Sequence, residues 1–215
     1  MKGTPFFEKR NALLGPTAVK NLEKRGFTAC YVDTAAEAKE TALSFIKKDH
    51  VIAHGGCMSA EDCGLMDELR SGNYPNFLDR SKVSTPEEKL QLERKSFFAD
   101  VYIGGANAIS LDGQIVNIDG FGNRVAAMTY GPSSVIVIAS TDKIAKTLDD
   151  AIARARMIAA PVNCGRFDKK TPCAATGVCA DCLSPDCICN YFQIIRHCMP
   201  HGKIKVILVG EKLGF

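Results

Sequence analysis

No stretch of the chain approaches the roughly 18 to 20 apolar residues that a membrane-crossing helix needs. The opening residues, MKGTPFFEKRNALLG, also lack the apolar core of a secretory leader, so a cytoplasmic protein is expected. Net charge is small, +3, and the Lys and Arg residues are scattered. Neither nucleic acid nor a membrane surface is therefore an expected partner. There is no tryptophan, no internal repeat and no low-complexity stretch. The rest of the composition, 46% hydrophobic and 24% charged over 215 residues, suits one sizeable α/β domain spanning 1–215.

What the chain has in quantity is cysteine. There are ten, and seven lie from Cys164 onward. Cys173, Cys179, Cys182, Cys187 and Cys189 follow one another as C-x5-C-x2-C-x4-C-x-C in TPCAATGVCADCLSPDCIC. No apolar period runs through this stretch, and Pro172, Gly177 and Pro185 punctuate it, so Cys164 to Cys189 is predicted to be loop. Such a loop cannot be ordered by burying apolar surface. In a reducing compartment thiols point to metal or redox chemistry more than to disulfides. Four thiolates at these spacings suit zinc and a 4Fe–4S cluster equally, and a metal-free thiol or disulfide loop is the third option. Cys30, Cys57, Cys63 and Cys198 read as small buried hydrophobes.

The remainder alternates helix and strand. A helix is predicted over 5–25, with Phe6, Leu13, Leu14, Ala18, Val19 and Leu22 on one face. A strand follows at 27–32, then a helix at 35–48 capped by Thr34, then a strand at 50–54. Strand, helix, strand calls for a parallel sheet with right-handed crossovers. Gly55-Gly56-Cys57-Met58-Ser59 then opens a helix to about Leu69, with Ser59 and Asp62 at capping-box spacing. Two glycines at the carboxyl end of a strand let backbone N–H groups approach an anion; a plain tight turn is the alternative. Thr85 caps a further helix to about Phe98, with Pro86 in its first turn.

After a strand at 100–103, Asp112-Gly113 and Asp119-Gly120 bracket an apolar segment. Asp-Gly between alternating apolar residues predicts a hairpin of 106–111 with 114–118. Asn123 reads as the N-cap of a short helix, with Arg124 beside it. The fully apolar SVIVIA run, 134–139, is predicted to be a central strand. A helix follows over 144–159, with Arg154 and Arg156 facing solvent, and Pro161 ends it. Strands at 191–195 and 204–209 close the chain.

The central run, with Asn107-Ala108-Ile109, Asp112-Gly113, Val116-Asn117, Asp119-Gly120, Gly122-Asn123-Arg124-Val125-Ala126-Ala127 and Gly131-Pro132, resembles the lactate-utilisation (LUD) domain family. Asp142-Lys143-Ile144, Ala160-Pro161, Asn163, the Thr171–Cys189 loop and the ending VILVGEKLGF extend the likeness over nearly the whole chain. It implies an α/β fold, a mostly parallel sheet with flanking helices, related to ribose-5-phosphate isomerase and CoA-transferase-like folds. The inserted hairpin and the cysteine-rich loop, 164–190, are additions to it. In the cysteine-bearing branch, the ligand pattern maps onto Cys173, Cys179, Cys182 and Cys189, with Cys187 as the alternative fourth ligand.

Two constellations of site residues result. Gly55, Gly56, Ser59, Asn107, Asn123 and Arg124 form a candidate anion pocket. Asp119 and Asp112 are the candidate catalytic carboxylates. Asp112 is a candidate because CoA-transferase-like folds use a carboxylate beside a glycine; otherwise it is a turn residue. Asp119 either orients a ligand with Asn123 and Arg124 or satisfies its own turn. The leading expectation is a small-anion-binding component of lactate or related hydroxy-acid metabolism with an iron–sulfur or zinc site. Its partners would be a small anionic metabolite and iron–sulfur proteins, and the sequence is compatible with a homodimer. An isomerase or acyl/CoA-transferase-like enzyme is one rival, and a redox sensor or scaffold is another.

Overall fold

The structure, a computed structural model, describes residues 5–215. Its frame is a five-stranded sheet, every pairing parallel, built from β1 (Thr28–Val32), β2 (Ile52–His54), β3 (Val101–Gly105), β6 (Ser134–Ser140) and β9 (Ile204–Val209). The order is β1-β9-β6-β3-β2. β6 is central and almost wholly buried, as its apolar run predicts. The mostly parallel α/β architecture is thus as expected. No described helix is long and apolar enough to cross a membrane.

The Asp112 hairpin forms, between β4 (Ala108–Ser110) and β5 (Ile115–Asp119). Its turn differs in type from the two-residue form that Asp-Gly usually signals. Gly113 N–H donates to Ser110 O, Ser110 N–H donates to Gln114 O, and only Gly113 takes a positive φ, +92°. That is a three-residue loop with glycine in the left-handed position. The hairpin is also more than an insertion. It recruits β7 (Ile144–Ala145) and β8 (Tyr191–Ile195) into a second sheet of order β7-β4-β5-β8. Ile109 and Ile115 of this sheet share one core with Val135, Val137 and Leu208 of the first. The strands at 191–195 and 204–209 therefore belong to different sheets.

Several helix boundaries shift. α1 (Pro5–Lys24) buries Asn11, Gly15, Ala18 and Leu22, while Phe6 and Leu13 of the expected apolar face stay exposed. α2 (Ala35–Ser44) stops short of Lys48. The expected helix over 60–69 is two pieces, α3 (Met58–Asp62) and α4 (Leu65–Arg70), parted at Cys63 and Gly64. Ser59 lies inside α3 and does not cap it; Cys57 is the cap residue. α5 (Pro86–Lys95) ends in a 3-10 turn.

α6 (Asn123–Thr129) is preceded by Gly122 at the cap position, so Asn123 is its first residue and not its cap. Ile144 and Ala145 are strand, and the helix after them starts at Leu148 as α7 (Leu148–Arg154). It runs on through a π turn, Ala155–Ala159, into α8 (Ala160–Arg166). Pro161 does not end it. Proline removes one backbone donor and crowds the carbonyl four residues back, and the π turn just before it, with Ala160 N–H on Ala155 O, relieves that crowding. Cys164 therefore sits on a helix. So does Cys173, in the short α9 (Pro172–Thr176).

Local capping reads well from sequence. Thr34 with Glu37 and Thr85 with Glu88 each close a reciprocal capping box. Thr85→Ala should lower the unfolding free energy by about 1 kcal/mol, read as a reduced urea midpoint with unchanged slope.

Candidate functional site

β2, β3 and β6 are neighbours, and the chain leaves all three at the same edge of the sheet. This carboxyl edge is where open α/β sheets take ligands. It also brings the glycine turn and Arg124 together. A Cβ at Gly55 would collide with the Tyr102 hydroxyl and lie 2.6 Å from Arg124 Cγ, so only glycine lets the turn pack there. Gly56, at φ +77°, lies near Arg80. Cys57, 5% exposed, stacks its sulfur over Gly105.

Arg124 is fully engaged. Its Nη1 donates to Asn117 Oδ1 at 2.8 Å, its Nη2 to Ile118 O at 2.7 Å, and its Nε pairs with Asp119 Oδ2 at 3.2 Å. The other Asp119 oxygen accepts from Phe121 N and Gly122 N. The Asp119 carboxylate is thus taken up by a buried turn network. Asp112 is equally occupied, by Ser110, Gln114 and Arg25 of the α1–β1 connection. No partner of Asp112 belongs to the Gly55 turn. Asn107 closes the second sheet: its Oδ1 accepts Ile118 N at 2.7 Å, and its carbonyl accepts Arg154 Nη1 at 2.6 Å. Asn123 lines a separate open groove with Phe121, Tyr191 and Phe192.

Sequence reasoning missed the most unusual group here. Lys143 follows the end of β6 and is only 5% exposed. Its Nζ donates to Ser59 Oγ at 3.2 Å. Among the described residues no carboxylate pairs with it. Burial pushes its amine down to about 8, and the Arg154 and Arg124 charges act in the same direction, against Cys57 and Asp62. Arg154, expected in solvent, is half-buried and among the described residues donates only to carbonyls, those of Asp142 and Asn107. The one hint in the sequence is position: Asp142-Lys143 directly follows the most apolar strand, where a buried sheet reaches its ligand edge.

His54, the last residue of β2, is 7% exposed, and neither ring nitrogen has a hydrogen-bond partner among the described residues. It packs on Phe77 with ring centroids 5.5 Å apart. Burial lowers its pKa to about 4, with Arg80 and Arg70 adding to the effect and Asp79 and Glu61 opposing it. The unfolded chain takes up this proton near 6.5 while the fold resists until about 4. His54 stabilisation should therefore be complete above pH 6.5 and be lost as pH falls, by about 3 kcal/mol at the acid limit. His54→Leu should flatten the stability profile between pH 6.5 and 5, measured by urea unfolding at each pH.

The cysteines of the 164–190 stretch form one lobe against this edge. Arg166 of α8 reaches Met58 of α3 at 3.5 Å, and Asn190 ties the lobe to the Asp119 turn through Asp119 O at 3.1 Å and Gly120 O at 3.0 Å. All ten cysteines are free thiols. Cys164, missed as a candidate, interacts directly with Cys173; burial raises its pKa to about 11. Cys173 also contacts Thr171 Oγ1 at 3.2 Å. Cys182 sits against Ser184, whose hydroxyl lowers its pKa, and against Cys187. Cys189 is raised to about 12 by burial first and then by Cys187, Cys164, Cys179 and Cys173. Arg156 holds Cys179 and Asp181. The donor chemistry suits a soft metal. Among the described residues, no three His, Cys, Asp or Glu side chains stand close enough, as placed, to hold one ion.

No curated protein matches the chain. Among solved structures, a DUF162 family protein from Deinococcus radiodurans aligns over 93% of this chain and 98% of its own, at 14% identity and TM-score 0.54. That likeness shows the fold. Ribose 5-phosphate isomerase A from Neisseria gonorrhoeae overlaps 53% of this chain and 54% of its own, at 18% identity and TM-score 0.34. A D-ribose-5-phosphate isomerase in complex with phospho-erythronic acid gives 0.35 over the same shares, also at 18% identity. The LUD domain model matches residues 16–209, and the chain therefore belongs to the LUD-domain family.

Proposed function

We propose that the chain is a small-anion-binding component of lactate or related hydroxy-acid metabolism. One observation carries this reading. Lys143 and Arg154 approach the same edge of the sheet, one buried and one half-buried, and neither has a carboxylate partner among the described residues. Asp62 and Asp142 act on these two cations without forming an ion pair with them, and such positive charge at low exposure favours an anion, a carboxylate most directly. Gly55, Gly56, Ser59, Asn107 and Arg124 frame the place. Arg124 does so as a fixed wall, because its guanidinium is already bonded, and Asn107 is held by its Oδ1 and its carbonyl. The occupied Asp112 and Asp119 carboxylates weigh against an isomerase or transferase that uses either as its base.

Thermal melting with lactate, sugar phosphates and CoA tests the reading. A ligand at 100 times its Kd adds about 2.7 kcal/mol. A raised melting temperature with lactate or a related 2-hydroxy or 2-oxo acid is expected. A response to CoA or sugar phosphates alone would favour the transferase or isomerase alternative.

The six thiols of the lobe favour a second reading, a redox sensor or metal-dependent scaffold on the same chain. The sulfurs to watch are Cys173, Cys179 and Cys182 with Cys189 or Cys187, and the group is a 4Fe–4S cluster or zinc. Elemental analysis of oxygen-free protein decides it. Iron or zinc in fixed proportion to the chain supports this reading, and the absence of both removes it.

A further inference from the structure

We propose that Lys143 forms a reversible imine with the carbonyl carbon of a small 2-oxo acid whose carboxylate is drawn to Arg154. The inference rests on the anion-site reading above and adds a covalent step to it. The group is desolvated, sits at the ligand edge of the sheet, and among the described residues has one hydrogen bond, to Ser59 Oγ. A lysine kept only for packing would be expected to find a carboxylate or reach water. A desolvated lysine beside other cations is an established route to a neutral, nucleophilic amine. With the amine near 8, roughly a tenth of it is neutral at pH 7, far more than for an exposed lysine.

The step balances without an oxidant. The neutral amine adds to the ketone carbon, and the carbonyl oxygen takes a proton to give a carbinolamine. The nitrogen then loses its proton, the hydroxyl leaves as water, and a C=N bond remains. Ser59 Oγ, against the amine, can pass the proton between nitrogen and the departing oxygen. Its own hydroxyl faces Leu213 O at 3.3 Å, and Gly214 N–H is held by Asp62 at 2.7 Å. This short backbone strap lies over Ser59 and the amine and would shield the C=N bond from bulk water.

The test is reductive trapping on the whole folded protein with pyruvate or glyoxylate and cyanoborohydride at pH 7, read by intact mass and peptide mapping. One adduct per chain, on Lys143 and absent from Lys143→Arg, is expected. The exposed Lys47 and Lys48 serve as internal controls for non-specific labelling. Labelling no greater at Lys143 than at those two overturns the imine. If pyruvate still raises the melting temperature in that case, the anion site stands and only the covalent step falls. If it neither labels nor shifts melting, both fall.

Discussion

Lys143→Met should make the ligand-free protein more stable and deprive it of its response to anions. The amine's fall from 10.5 to about 8 corresponds to about 3 kcal/mol held against folding at neutral pH. Methionine has similar length, needs no counter-charge, and adapts to irregular space. A gain on the order of 2 kcal/mol is expected, read as a higher urea midpoint. The pH dependence carries the signature. Between about pH 8 and 10.5 the unfolded chain still binds the lysine proton that the fold has released. Wild-type stability should therefore rise through that window relative to the variant, and the two should converge at its top. A buried lysine that opposes folding at the ligand edge of a sheet is a candidate for a binding site.

Arg124→Met should act in the opposite sense. The guanidinium is 14% exposed and its partner Asp119 only 8%. Removing it leaves a buried carboxylate with two backbone donors and strips partners from Asn117 and Ile118 O. Breaking one side of such a pair costs about 3–5 kcal/mol. The Arg25–Asp112 pair is a useful contrast. There the carboxylate is half exposed, and Arg25→Met should cost under about 1 kcal/mol. Denaturant midpoints of the two variants, measured side by side, check the difference. Equal losses would place Arg124 in solvent-screened surroundings and contradict the wall assigned to it.

What could be read from the sequence was local. Thr34 and Thr85 announce their helices because a cap needs only a side chain and the next three residues. Asp112-Gly113 announces a hairpin because its turn is satisfied within five residues. The second sheet could not be read this way. β5 pairs with β8 through Asn117 and Gln193, partners far apart in sequence, and nothing near either residue specifies the other. Gly55, Ser59 and Arg124 were legible as an edge cluster because glycines after a strand carry positional meaning. Lys143 was not. Ser59 and Gly214 lie against it and the Arg154 charge on a later helix acts on it, none adjacent to it in the chain. Cys164 was missed as a partner for Cys173 because Pro161 promised a loop where the π turn lets a helix continue.

The proposed anion site turns on a single side chain, so the deciding measurement is the ligand-induced shift in melting temperature with lactate and pyruvate, compared between wild type and Lys143→Met at pH 7. Wild type should shift upward with ligand concentration. The variant should start higher and stay flat. A variant that melts higher and still shifts by the wild-type amount would mean that the anion binds elsewhere, and that the buried amine at the end of β6 is not what receives it.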